Sequence, residues 1–128
     1  MRYLLDTHTF LWAISNPDKL GHTARSIIKS LDNELLISIV SLWEIAIKSS
    51  IGKLNLADDF KNVIPREIAI GEYVVYPITI EQLGFLSNLT FHHRDPFDRL
   101  LIAQSIYDNV QLLSNDKIFD SYGVKRLW

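Results

Sequence analysis

The sequence predicts a doubly wound α/β/α sandwich with a central parallel sheet, and three observations carry that expectation. Short apolar runs alternate along the chain with segments of helical periodicity. The runs are apolar along their whole length instead of alternating with polar residues, as strands covered on both faces are. The chain of 128 residues is 48% hydrophobic and 22% charged, enough to bury the core of one domain spanning residues 1–128 and too apolar for disorder.

The first strand is Arg2-Tyr3-Leu4-Leu5, which runs into Asp6 and a loop at Thr7-His8-Thr9. Phe10 to Ile14 forms a short helix stopped by the turn at Asn16-Pro17-Asp18, and His22 to Leu31 forms a second, with Ala24, Ile27, Ile28 and Leu31 on one face. Glu34 to Ile39 is the second strand. Ser41-Leu42-Trp43-Glu44 has the spacing of a capping box and opens a helix that stops at Gly52. After a connection from Leu54 to Phe60, Pro65 is expected to divide the next helical region into two pieces closed by Gly71. Tyr73 to Ile78 is the third strand, and Thr79-Ile80-Glu81-Gln82 caps a helix running towards Leu89. Asp95 and Pro96 supply an N-cap and a first-turn proline for a helix containing Leu100, Leu101, Ala103, Ile106 and Tyr107. Val110 to Leu113 is the fourth strand, Asp116 to Tyr122 a short helix ended by Gly123, and Val124 to Leu127 the fifth strand.

Composition removes several chemistries. With no cysteine there is no disulfide framework, thiolate nucleophile or thiolate metal site. The longest apolar stretch, Leu35 to Val40, is far too short to span a bilayer, and Asp6 interrupts the N-terminus before a signal-peptide apolar region forms, so a soluble cytoplasmic protein is expected. The net charge of −2 provides no global basic field for nucleic acid. A nucleic-acid partner would need a local basic surface.

In a doubly wound sheet, ligands gather at the C-terminal strand ends where strand order reverses. Four carboxylates fall at such places: Asp6 after the first strand, Glu44 after the second, Asp98 in the helix before the fourth, and Asp116 after the fourth. Four converging acids would repel one another unless a cation neutralised them, and an oxygen-only set selects Mg²⁺ or Mn²⁺, ions suited to phosphoryl chemistry. Each acid also has an ordinary use. Glu44 completes a capping box with Ser41, Asp98 favours a helix N-terminus by its charge, and Asp116 can cap the short helix that follows it. Asp6 has the weakest structural excuse, whereas Asp95 before Pro96 reads first as an N-cap. His92 and His93 are neighbours whose side chains diverge, and with His8 they read as loop residues and not as a metal site. Trp12, Trp43 and Trp128 read as core area.

The segments Leu4-Leu5-Asp6-Thr7-His8, Ser41-Leu42-Trp43-Glu44-Ile45-Ala46-Ile47-Lys48 leading to Gly52-Lys53-Leu54, His93-Arg94-Asp95-Pro96-Phe97-Asp98-Arg99-Leu100-Leu101-Ile102-Ala103-Gln104, and Leu113-Ser114-Asn115-Asp116 resemble PIN-domain proteins, specifically the VapC-like toxins of type II toxin–antitoxin systems. The resemblance covers nearly the whole chain in the right order. It implies a PIN fold, an endoribonuclease dependent on Mg²⁺ or Mn²⁺, a homodimer, and inhibition by a small antitoxin protein. It places the family's catalytic, metal-binding acids on Asp6, Glu44, Asp98 and Asp116, with Asp95 and Ser114 in secondary roles. Where the family usually carries Thr before the last acid, this chain has Ser114 and Asn115.

Lys48, Arg94, Arg99 and Lys117 lie within a few residues of these acids and are the candidates for RNA binding, against the alternative of solvated charges or ion pairs. Three other function classes compete. A haloacid-dehalogenase-type phosphatase would use Asp6 as a covalent nucleophile but wants a second Asp where His8 stands, and a receiver domain wants an acceptor Asp where the third strand ends in Tyr76-Pro77-Ile78. A non-catalytic PIN-like RNA-binding module would fit an incomplete acidic set.

Overall fold

The computed structural model describes residues 1–128 and contains five strands, β1 (Arg2–Leu5), β2 (Glu34–Ser38), β3 (Val74–Tyr76), β4 (Gln111–Leu113) and β5 (Arg126–Leu127). Six α-helices connect them: α1 (Thr7–Ser15), α2 (His22–Lys29), α3 (Ile39–Ser50), α4 (Phe60–Ile70), α5 (Ile80–Ser87) and α6 (Pro96–Tyr107). Short 3₁₀ turns span Pro17–Lys19 and Lys117–Tyr122, the second ended by Gly123 in a left-handed conformation at φ +73°. The strands form one parallel sheet in the order β3-β2-β1-β4-β5. From β1 the chain steps outward through β2 to β3, then returns to place β4 on the other side of β1. Strand order therefore reverses between β1 and β4, and a crevice opens there beyond the strand ends.

The side-chain period of two divides the core. Leu4, Leu36 and Leu112 are register neighbours on one face, under α5 and the Leu100-Leu101-Ile102-Ala103 stretch of α6. Leu5, Ile37 and Leu113 project to the other, against Phe10 of α1, Ile45 of α3, and Val63 and Ile64 of α4. The expected α/β/α sandwich follows from burial on both faces. No helix is long and apolar enough to cross a membrane.

Beneath α5 and α6 a polar chain crosses the first core layer. Ser38 Oγ donates to Gln104 Oε1 at 2.7 Å, and Gln104 Nε2 donates to Gln82 Oε1 at 3.1 Å. Gln82 Nε2 in turn donates to Asp108, which also accepts from the Tyr76 hydroxyl. Every buried polar side-chain atom has a partner.

Several boundaries differ from those expected. The loop read after Asp6 is the first turn of α1, because the Asp6 side chain accepts from Thr9 N–H and caps the helix. Helix α3 begins two residues before Ser41, with Ser38 as its cap through Val40 N–H, so Ser41 and Glu44 form no capping box. Pro65 does not divide α4. The Lys61 carbonyl that loses its partner there belongs to an exposed residue, while buried Val63 and Ile64 hold the helix to the sheet. Nor do all three tryptophans fill the core: Trp43 is 55% exposed, and Trp12 and Trp128 are only partly covered.

Candidate functional site

Asp6 leaves β1 at the crevice and is 5% exposed. Its Oδ1 accepts from Thr9 N–H at 2.8 Å and its Oδ2 from Ser114 Oγ at 2.6 Å. Burial pushes its carboxyl above the usual range, and the hydrogen bonds from Ser114 and Thr9 only partly offset that. Ser114, at the end of β4, also accepts from Asp116 N–H at 3.0 Å, so one hydroxyl ties the two strand ends together. Asp116 is exposed, caps the following 3₁₀ turn through Ile118 N–H at 3.0 Å, and lines one hollow with Asp6, Asn115 and Lys117.

Glu44 enters from α3. Freed from capping, its buried carboxylate accepts from Thr7 Oγ1 at 2.6 Å on one oxygen and from Lys48 Nζ on the other. Thr7 Oγ1 lies 3.0 Å from Ser41 Oγ as well. The Glu44 hydrogen bond holds the Lys48 ammonium above its ordinary pKa despite partial burial, and the fields of Glu44, Asp95 and Asp98 act in the same direction. Lys48 is thus a half-exposed cation paired with Glu44 in the field of neighbouring acids.

Asp98 enters from the first turn of α6, its side chain 22% exposed. His93 Nε2 lies 2.9 Å from its Oδ2. Burial pushes its pKa up to about 6 despite the His93 hydrogen bond, with the charges of Asp95 and Asp6 adding to the rise. Asp95 caps α6, accepting from Phe97 N–H at 2.9 Å and Asp98 N–H at 3.1 Å. The ligand-type atoms of His93, Asp95 and Asp98 all lie within 4.8 Å of one another, the only such group of three in the chain. Asp6 and Asp116 line one hollow, Glu44 lines the adjoining one, and Asp98 lies within electrostatic reach of Asp6, but the oxygens of the four expected acids do not meet in a single cluster.

Of the basic candidates, Arg94 and Lys117 are exposed. Arg99 turns instead to Leu89 O, Thr90 O and the Tyr122 hydroxyl, so it anchors the loop entering α6. Thr7, Thr9 and His93 are the site residues that the sequence reading passed over. Asp6 preceding an apolar helix carried an N-cap signal for Thr9. The Thr7 and His93 contacts span 37 and five residues and have no local signature.

Crowded carboxylates and one paired ammonium leave an excess of negative charge, and the donors are oxygen with one imidazole nitrogen. Such a set fits a hard divalent cation of the Mg²⁺ or Mn²⁺ type.

The sequence profile of the PIN domain matches residues 3–125. No curated protein sequence matches the chain. Among solved structures, the fold is similar to DNA-bound VapBC from Salmonella typhimurium (TM-score 0.75, 15% identity, covering 99% of this chain and 97% of that one). It is also similar to VapBC2 from Rickettsia felis bound to a DNA fragment from its promoter (0.74, 17%, 99% and 98%). A toxin–antitoxin complex from Klebsiella pneumoniae is a further structural relative (0.65, 11%, 98% and 96%).

Proposed function

Because this chain belongs to the PIN-domain family, we propose that it is a metal-dependent endoribonuclease and the toxin component of a toxin–antitoxin pair. The observation that carries the reading is Asp6, a buried carboxylate at the reversal of strand order, joined through Ser114 to Asp116 and within the electrostatic reach of Asp98. Asp6, Glu44, Asp98 and Asp116 would hold Mg²⁺ or Mn²⁺, with Asp95 and Ser114 supporting. A divalent ion there supplies positive charge for the phosphodiester and lowers the pKa of water. The chain's own part is preorganisation. Thr9 and Ser114 fix the two oxygens of Asp6, Thr7 and Lys48 orient Glu44, and His93 orients Asp98. Exposed Arg94 and Lys117 would draw in the RNA backbone.

The structural relatives bound to antitoxins favour a small protein partner, and the family resemblance a homodimer. A cytoplasmic location agrees with both. The family match is to the PIN domain and lends the phosphatase alternative no support. Purified protein should cut RNA with Mg²⁺ or Mn²⁺ and stop when EDTA is in excess; cutting that persists in EDTA would refute the metal site. Absence of cutting with either ion would favour the non-catalytic RNA-binding module.

A further inference from the structure

Trp12 is a large aromatic side chain at the rim of the acid crevice that the core does not cover. Its neighbours on α1, Phe10, Leu11 and Ile14, belong to the core, while Trp12 stands on the outer side, partly open to water. It is braced there. The Trp128 ring lies 5.8 Å away at 59°, and Trp128 is wedged against Gly21, where a Cβ would come within 2.6 Å of Trp128 Cδ1. His8, one helical turn before Trp12, tilts towards it at 5.8 Å, and the ammonium of exposed Lys19 lies over the indole at 5.8 Å.

Two concavities meet at this ring. One is the hollow of Asp6 and Asp116; the other is a groove of about 710 Å³ that holds Glu44, Lys19, Lys48 and Lys53. His8 and Trp12 are the two side chains common to both. With Lys48 paired to Glu44, exposed Lys19 and Lys53 are the charges left uncompensated in the groove lining, so its field suits a polyanion. An aromatic ring fixed from behind, beside a flexible lysine, suits a polyanion with flat apolar faces.

We propose that Trp12 is the stacking platform for one unpaired base of a single-stranded RNA whose backbone passes from the acid crevice into the lysine groove. Lys19 leaves the ring as the base arrives and, with Lys53, pairs with the neighbouring phosphates. The proposal rests on the nuclease reading above and deepens it, because only a strand with unpaired bases can offer a face to the indole.

The test is a coupling measurement in Mg²⁺. Binding of a labelled, nuclease-resistant phosphorothioate RNA octamer is followed by fluorescence anisotropy, with each position in turn made abasic. In the wild-type chain one abasic position should weaken binding by about tenfold, in the range of single base–aromatic stacks. Trp12→Leu should bind the intact octamer about tenfold more weakly and show no further loss at that position, while Trp12→Phe should retain most of the position-specific loss. Trp12→Met, flexible bulk without a ring, takes the place of Trp12→Leu if thermal unfolding shows that the leucine variant does not fold. Equal abasic losses in the wild type and the ringless variant overturn the proposal. So does intact-strand binding unaffected by Trp12→Leu, which would leave the indole to a protein partner or to packing on Trp128. Cleavage of unmodified RNA by the wild type is scored separately. Coupling without cleavage sinks the nuclease reading alone, cleavage without coupling sinks the stacking platform alone, and a wild type that binds no octamer sinks the platform whatever it cuts.

Discussion

Replacing Asp98 by Asn removes one charge from the crevice and keeps the side-chain shape, so it separates a metal ligand from a helix-terminus charge. In the folded, metal-free protein the Asp98 carboxyl titrates at about 6 against an ordinary value of 3.8. The folded state thus holds this proton more tightly than the unfolded chain does. The site is unstrained below pH 4, and stability is lost as pH rises through about 6. Taken whole, the difference corresponds to about 3 kcal/mol. Solvent reaches 22% of the side chain, so screening removes roughly half of that. The favourable position of an anion in the first turn of α6 returns about 0.5 kcal/mol to the wild type. Asp98→Asn should then be more stable than wild type by about 1 kcal/mol at pH 7 in EDTA, raising Tm by about 4 °C. The difference should vanish at pH 4. RNA cleavage with Mn²⁺ should fall by at least about 100-fold, beyond the usual effect of a residue that only orients a ligand. The assays are thermal unfolding in EDTA at the two pH values and initial cleavage rates. Wild-type cleavage by the variant would show that the four-acid site is wrong, and a lower Tm at pH 7 would refute the electrostatic reasoning.

Two further expectations concern neighbours of that site. Asp95→Asn keeps an acceptor for Phe97 and Asp98 N–H and should change stability by less than about 0.5 kcal/mol, whereas Asp95→Ala should cost about 1 kcal/mol in urea unfolding. Equal losses would show that the charge matters and the cap does not. Lys117→Ala should weaken RNA binding and reduce the slope of log K against log salt by about one; an unchanged slope removes Lys117 from the contact surface.

The central strands were legible because burial on both faces demands apolar runs, which Tyr3 to Leu5, Leu35 to Ile37 and Leu112 to Leu113 show. The α6 cap was legible because Asp-Pro has few other uses. The cap of α3 was misread for a local reason. The branched apolar pair Ile39-Val40 resembles strand, so the start of α3 moved to the next Ser, and an inward-facing carboxylate took on the role of a cap. The tryptophans were misread for a global one. Hydrophobicity says that an indole prefers cover, but only tertiary placement says whether this chain supplies it. For His93 the local argument held, since adjacent histidines do diverge, yet the loop turns one of them back onto Asp98 five residues later.

The central position of β1 also has a consequence for the order of synthesis. Strand β1 gains β2 early in synthesis, but its other edge stays open until residues 111–113 arrive, and the hydroxyl that joins Asp6 to Asp116 is separated from Asp6 by 108 residues. Pairings of such long range are the slow ones to form. A nascent chain therefore carries Asp6 long before it acquires the crevice. A chain interrupted before residue 111 lacks both the strand and the hydroxyl that complete the crevice.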